Sequence, residues 1–160
     1  MTRRTSHSNT LTGWREWVSL PDADVDWIKA KIDTGARSSS LHAFDVVEFE
    51  REGEDWVRFR VNPWQESASD ATIVECPVHD RRRVRSSSGH AAERLVVLLA
   101  IRLIDRTVVS EVTLSNRDEM GFRMLIGREA LRQGYVVDPA RSFLGGRAPK
   151  EVRRRNRGRS

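Results

Sequence analysis

Lys31-Ile32-Asp33-Thr34-Gly35-Ala36 is the stretch on which the reading of the chain turns. The residues before Asp33, Val25 to Ile32, lean apolar and read as a strand. The chain therefore carries a carboxylate off the end of a strand into a tight turn of small residues. Gly35 admits torsions and close approaches that a side chain would forbid, and Thr34 has a hydroxyl to fix the turn locally. A bare Asp-Thr-Gly also populates ordinary turns. Two neighbours give it weight: the strand ending at Ile32, and a second motif far downstream, Met124-Leu125-Ile126-Gly127-Arg128.

Outward from that turn, the pattern is one of short strands. Gly13 to Leu20 and Val25 to Ile32 flank a Pro-Asp-Ala-Asp turn, and Ser40 to Glu50 reaches a hairpin tip at Arg51-Glu52-Gly53-Glu54. From Asp55 to Val61 the alternation is clean, with Val57, Phe59 and Val61 opposed to Arg58 and Arg60. After a polar loop over 62–71 come a strand at Thr72 to Cys76 and a nearly continuous apolar run, Arg94 to Ile104. Thr107 to Ser115 follows, then Phe122 to Gly127 entering a short helix, Arg128 to Arg132. Tyr135 to Leu144 reads as a last hairpin around Asp138-Pro139. Many short strands with one short helix near the C-terminus predict an all-β fold, a closed or partly closed β-barrel.

At 160 residues the chain suits one domain with a full core. No run is long and apolar enough to span a bilayer as a helix, and the N-terminus shows no signal-peptide core, so a cytoplasmic protein is expected. A single cysteine, Cys76, rules out an internal disulfide framework. The net charge of +5 belongs to the ends: residues 147–160 carry +6, residues 1–10 carry +2, and the body carries −3. Residues 1–12 and 147–160 are expected to be disordered, the latter as a basic tail, with the folded unit spanning 13–146.

Four ordered stretches extend the match. These are Trp14-Arg15-Glu16-Trp17-Val18, Lys29 to Arg37, Arg82-Arg83-Val84-Arg85-Ser86-Ser87-Ser88-Gly89-His90, and Asn116 to Arg128. Together they resemble the bacterial family labelled ATP-dependent zinc protease and also described as RimK-associated retropepsin-like proteins. The resemblance covers about Gly13 to Gly146. It implies a retropepsin-like (acid protease) barrel and an aspartic-type peptidase, with Asp33, Thr34 and Gly35 at the catalytic turn. Ile126, Gly127 and Arg128 would support that turn from beneath. In such proteins Arg128 pairs with an acid just after Asp-Thr-Gly-Ala; here that position is Arg37, which the departure would free to face substrate.

The chemistry needs two carboxylates sharing one proton, because like charges so close cannot both ionise. The chain has one Asp-Thr-Gly and no second Asp-[Thr/Ser]-Gly. The second carboxylate must then be Asp33 of another copy on a two-fold axis, which predicts a homodimer. Ala36 and Arg37 flank the turn. The run Arg83, Arg85, Ser86, Ser87, Ser88, Gly89 and His90 reads either as a solvated arginine edge strand or, with the resemblance, as a rim that grips acidic peptides through guanidinium forks. The family's association with a RimK-type ATP-dependent ligase that adds glutamates to a ribosomal protein suggests an oligoglutamate-tailed substrate.

The zinc in the label finds little support. There is no His-Glu-x-x-His, and Cys76-x-x-His79 offers two ligands where a site needs three or four. No phosphate-binding Gly-x-x-x-x-Gly-Lys-[Ser/Thr] loop occurs either. No metal and no cofactor are expected. A zinc-dependent peptidase, or a non-catalytic ribosome- or RNA-binding module using the basic tail, stands as the alternative; tail contacts with nucleic acid would be weak and salt-sensitive. The five tryptophans fall mostly in strands, where packing is the ordinary use.

Overall fold

The structure, a computed structural model, describes residues 9–62, 71–85, 89–115 and 122–156. Twelve strands and two helices follow in order: β1 (Thr10–Thr12), β2 (Arg15–Leu20), β3 (Val25–Ile32), β4 (Ser39–His42), β5 (Phe44–Arg51), β6 (Glu54–Val61), β7 (Thr72–Pro77), β8 (Asp80–Arg85), β9 (Ala91–Leu103), β10 (Arg106–Ser115), β11 (Met124–Ile126), α1 (Arg128–Leu131), β12 (Tyr135–Val137) and α2 (Lys150–Asn156). A single 3-10 turn, Pro21–Ala23, joins β2 to β3.

The main sheet runs β10-β4-β11-β3-β2-β9-β8, and β9 also pairs with β10. That extra pairing closes six strands into a ring, with β8 continuing as a hairpin arm off the N-terminal half of β9. The fold is the all-β barrel that the many short strands predicted, in keeping with the retropepsin-like barrel that the resemblance implied. β5, β6 and β7 form a separate antiparallel sheet, and β1 lies parallel to β12 in a two-stranded one.

The core follows from period-two alternation. Ile28, Ala30 and Ile32 of β3 point inward, as do Leu99, Ile101 and Leu103 of β9 and Val57, Phe59 and Val61 of β6. Each large apolar side chain fully buried this way contributes on the order of 1.5–3 kcal/mol. β9 is long because its two halves serve different partners, which explains the continuous apolar run.

Three expectations change. Ser40 to Glu50 is two strands, broken at Ala43, because β4 belongs to the barrel and β5 to the second sheet. Tyr135 to Leu144 is not a hairpin: β12 pairs with β1, which gives structure to Thr10–Thr12 at the end of the supposed lead-in. The tail forms α2 over Lys150–Asn156 where disorder was expected, and Ala148 and Asn156 are buried. Residues 1–8 and 157–160 lie outside the described residues. Among the described residues, no helix is long and apolar enough to cross a membrane.

Candidate active site

Asp33 follows β3 directly, and the backbone fixes its place. Its N–H donates to the Ile126 carbonyl at 2.8 Å, and the Ala36 N–H donates to its carbonyl at 3.3 Å. The Gly35 N–H donates to Asp33 Oδ1 at 2.9 Å. The carboxylate is half-buried, while Thr34 and Gly35 are exposed at the tip of the turn. One oxygen is thus oriented by the turn itself, and the carboxylate stands at an accessible edge.

β11 and α1 form the platform. β11 lies parallel to β3, with Ile126 beside Ile32. Gly127 then turns the chain so that the Arg128 N–H donates to Ala36 O at 2.8 Å and the Glu129 N–H to Arg37 O at 3.0 Å. The Gly127 N–H donates to Ser39 Oγ at 3.2 Å. A Cβ on Gly127 would lie 2.5 Å from the Ser38 carbonyl oxygen and 2.8 Å from that of Ala36. Close approach of two backbones, rather than a left-handed torsion, is what demands glycine here.

The departure at Arg37 has a different consequence from the one expected. Arg37 is not freed: its Nε donates to Glu129 Oε1 at 2.9 Å, although the side chain stays 68% exposed. Arg128, lacking an acid across from it, donates through Nη1 to the Gly35 carbonyl at 3.3 Å. An acid one residue later in the first turn of α1 meets the base one turn away, so the loop and helix remain cross-linked by an ion pair of different composition.

The second predicted stretch sits on the β8–β9 hairpin. Arg83 and Arg85 are exposed, and Arg85 Nη1 donates to the Gly89 carbonyl at 3.1 Å. Gly89 holds a positive φ of 88°, which suits glycine. His90 is exposed. Ser86, Ser87 and Ser88 lie outside the described residues. The flanking arginines are engaged internally: Arg81 with Glu48, Asp55 and Glu93, and Arg82 with Asp80 and Glu111, the latter also bonded to His79 Nε2 at 3.1 Å. The hydrogen bond from Arg81 holds Glu48 below the usual carboxylate range, and that from Arg82 does the same for Glu111. Arg83 makes no such pairing among the described residues. The structure thus brings Asp33, Thr34, Gly35, Ala36 and Arg37 together with Ile126, Gly127 and Arg128. No hydrogen bond or ion pair among the described residues links the Arg83–His90 stretch to that turn.

The zinc-ligand candidates separate. Cys76 packs against the core, and burial pushes its thiol up to about 11. His79 faces Glu111, and His42 is buried with its ring stacked at 6.0 Å on Phe44. Among the described residues no three His, Cys, Asp or Glu side chains gather as a metal site would need.

One residue that the sequence left without a role matters for the site's scaffold. Glu16 is fully buried in β2. Its Oε2 accepts from the N–H groups of Gly13 at 2.8 Å and Leu144 at 3.0 Å, and its Oε1 from that of Gly145 at 3.0 Å. The signal was present: an acid at an inward position of a strand otherwise set with Trp17 and Val18.

Residues 11–148 match the RimB-like family, described as retropepsin-like aspartic endopeptidase RimB. A protein of Shewanella pealeana named "Probable alpha-L-glutamate ligase" is 43% identical over 148 residues, 92% of this chain but 32% of that protein. One of the same name from Desulfotalea psychrophila is 42% identical over 88% of this chain and 30% of its own length. The chain thus spans about a third of these curated relatives. A crystal structure of a Legionella pneumophila protein of unknown function superposes with a TM-score of 0.72 at 32% identity, covering 86% of this chain and 99% of the other.

Proposed function

We propose, since the chain belongs to the RimB-like family of retropepsin-like aspartic endopeptidases, that it is an aspartic-type peptidase acting on acidic peptides as a homodimer. The observation that carries the reading is the Asp33 turn, a carboxylate oriented by its own Gly35 N–H and seated on Gly127. One such turn per chain supplies half of a dyad, so the reaction needs Asp33 from two copies.

In the proposed reaction one Asp33 is ionised and accepts a proton from water while the other, protonated, donates to the scissile carbonyl oxygen. The water oxygen bonds to the carbonyl carbon. The resulting tetrahedral species collapses with the amine leaving, its nitrogen taking a proton from the dyad. Thr34 and Gly35 hold the turn, and Ile126, Gly127 and Arg128 brace it. Ala36 and the β8–β9 stretch from Arg83 to His90 contact the substrate, and Arg37, held through Nε by Glu129 but 68% exposed, meets it with its remaining N–H groups. Exposed arginines on that stretch favour carboxylate side chains.

The substrate proposed is a peptide bearing consecutive glutamates, such as a glutamylated ribosomal protein tail in the cytoplasm. The relatives named as glutamate ligases support this, since a ligase that adds glutamates supplies what such a peptidase would remove. The test is mass spectrometry of an oligoglutamate-tailed peptide incubated with wild type and with Asp33→Asn, each with and without chelator. The expected outcome is glutamate loss by wild type alone, unaffected by chelator. Cleavage that persists in Asp33→Asn but stops with chelator would overturn the aspartic reading in favour of metal-dependent hydrolysis.

A further inference from the structure

Away from the Asp33 turn, the outer face of the β2–β3 hairpin forms a half-open cleft of about 170 Å³ against the C-terminal segment. Arg15, Lys29, Arg147 and Arg153 line it together with Trp17 and Phe143, and no carboxylate is among the described residues that line it. Four cations around one small space repel each other, and a chain body of net charge −3 makes their concentration here more pointed.

The cations are held in place by rings. The Arg15 guanidinium lies 4.8 Å from the Phe143 ring centre and 4.8 Å from that of Trp14. Arg147 lies 4.9 Å from Phe143, and the Lys29 ammonium 5.8 Å from Trp17. Such stacking fixes the guanidinium planes and leaves their N–H edges to face a ligand. The Nε atoms of Arg15 and Arg153 are buried without a hydrogen-bond partner among the described residues. A buried donor of this kind is costly unless something accepts from it.

We propose that this cleft is a second anion site, taking the side-chain carboxylates of an acidic peptide through the guanidinium forks of Arg15, Arg147 and Arg153 and the Lys29 ammonium. The ring faces are already covered by cations, which leaves no platform for stacking a nucleobase. Lys29 is four residues before Asp33, on the strand that leads into it, about 13 Å in extended chain. A substrate segment held here would be anchored on the strand that delivers the catalytic carboxylate. The choice of carboxylate as ligand rests on the acidic-substrate reading above; the cleft itself does not.

Calorimetric titration of the full chain with tetraglutamate, tetraglutamine and pyrophosphate tests this, in wild type, Arg153→Gln, Arg147→Ala and Asp33→Asn. Tetraglutamate should bind wild type and Asp33→Asn alike, about tenfold or more weaker in Arg153→Gln and several-fold weaker in Arg147→Ala. Tetraglutamine should show no binding. Arg147 is exposed, so its variant carries the test should Arg153→Gln disturb folding. Unchanged tetraglutamate binding in Arg147→Ala and Arg153→Gln would overturn the proposal, as would tighter binding of pyrophosphate, which would give the cleft to phosphates. Binding retained without any cleavage would fault the peptidase reading and leave the cleft standing.

Discussion

At the scale of single residues, the two glycines of the site make opposite demands. A Cβ on Gly35 would meet Asp33 Oδ1 at 3.2 Å, close but beside a side chain that has room to turn. A Cβ on Gly127 would strike two backbone carbonyls, and neither moves without breaking the Asp33 turn. Gly127→Ala should therefore cost on the order of 1–3 kcal/mol, as overpacking does, and be seen as a lowered urea midpoint. Gly35→Ala should leave stability within about 0.5 kcal/mol while removing the proposed peptidase activity, because it displaces the carboxylate oxygen that Gly35 N–H orients. Equal midpoints for the two variants would refute this division. The need for close approach at Gly127 was legible from the motifs, whereas the torsional freedom expected of Gly35 is not used, since its φ is not in the left-handed region. The exchanged ion pair was not legible: Arg37 and Glu129 are 92 residues apart, and only folding shows that an acid one position along α1 comes to face the base.

Elements are joined by a buried carboxylate as well as by sheet pairing. Glu16 gathers the N–H groups of Gly13, Leu144 and Gly145, tying the start of β2 to the segment that follows β12. Tyr135 adds a second tie, its hydroxyl donating to the Leu103 carbonyl at 2.8 Å. Glu16→Gln keeps the shape but turns an NH₂ toward backbone donors, leaving at least one N–H unsatisfied. The expected cost is about 1–3 kcal/mol, read as a lower urea midpoint, and the loosened segment should show faster hydrogen exchange at Leu144 and Gly145. An unchanged exchange rate there would show that other contacts hold the segment. Alternation revealed β3, β6 and β9 because each buries one face or both. It could not reveal β1 or α2, nor that β12 pairs with β1 rather than folding back as a hairpin, since β1 sits in a polar lead-in, α2 is rich in arginine, and a strand's partner is not written in its own period. Those elements exist through what they pack against, which a local pattern does not contain.

For the molecule as a whole, closing six strands into a ring uses up the edges of the barrel and leaves the Asp33 turn standing at its rim with one carboxylate. The two-stranded sheet of β1 and β12 adds a small apolar surface: Leu11 and Val136 are register partners, exposed at 41% and 49%. In the proposed dimer a second copy completes the dyad, and that requirement gives subunit mixing a sharp consequence. When wild type and Asp33→Asn chains are exchanged at equal ratio, random pairing makes about a quarter of the dimers wild type in both halves. If both carboxylates are needed, activity per wild-type chain should fall to about half, and total activity to about a quarter of that of the same total protein as wild type. A site complete within one chain would retain about half of the total. Exchange confirmed by native mass spectrometry, followed by a linear dependence on the wild-type fraction, would end the shared-dyad mechanism; a dependence on its square would require that each cut be made by two chains together.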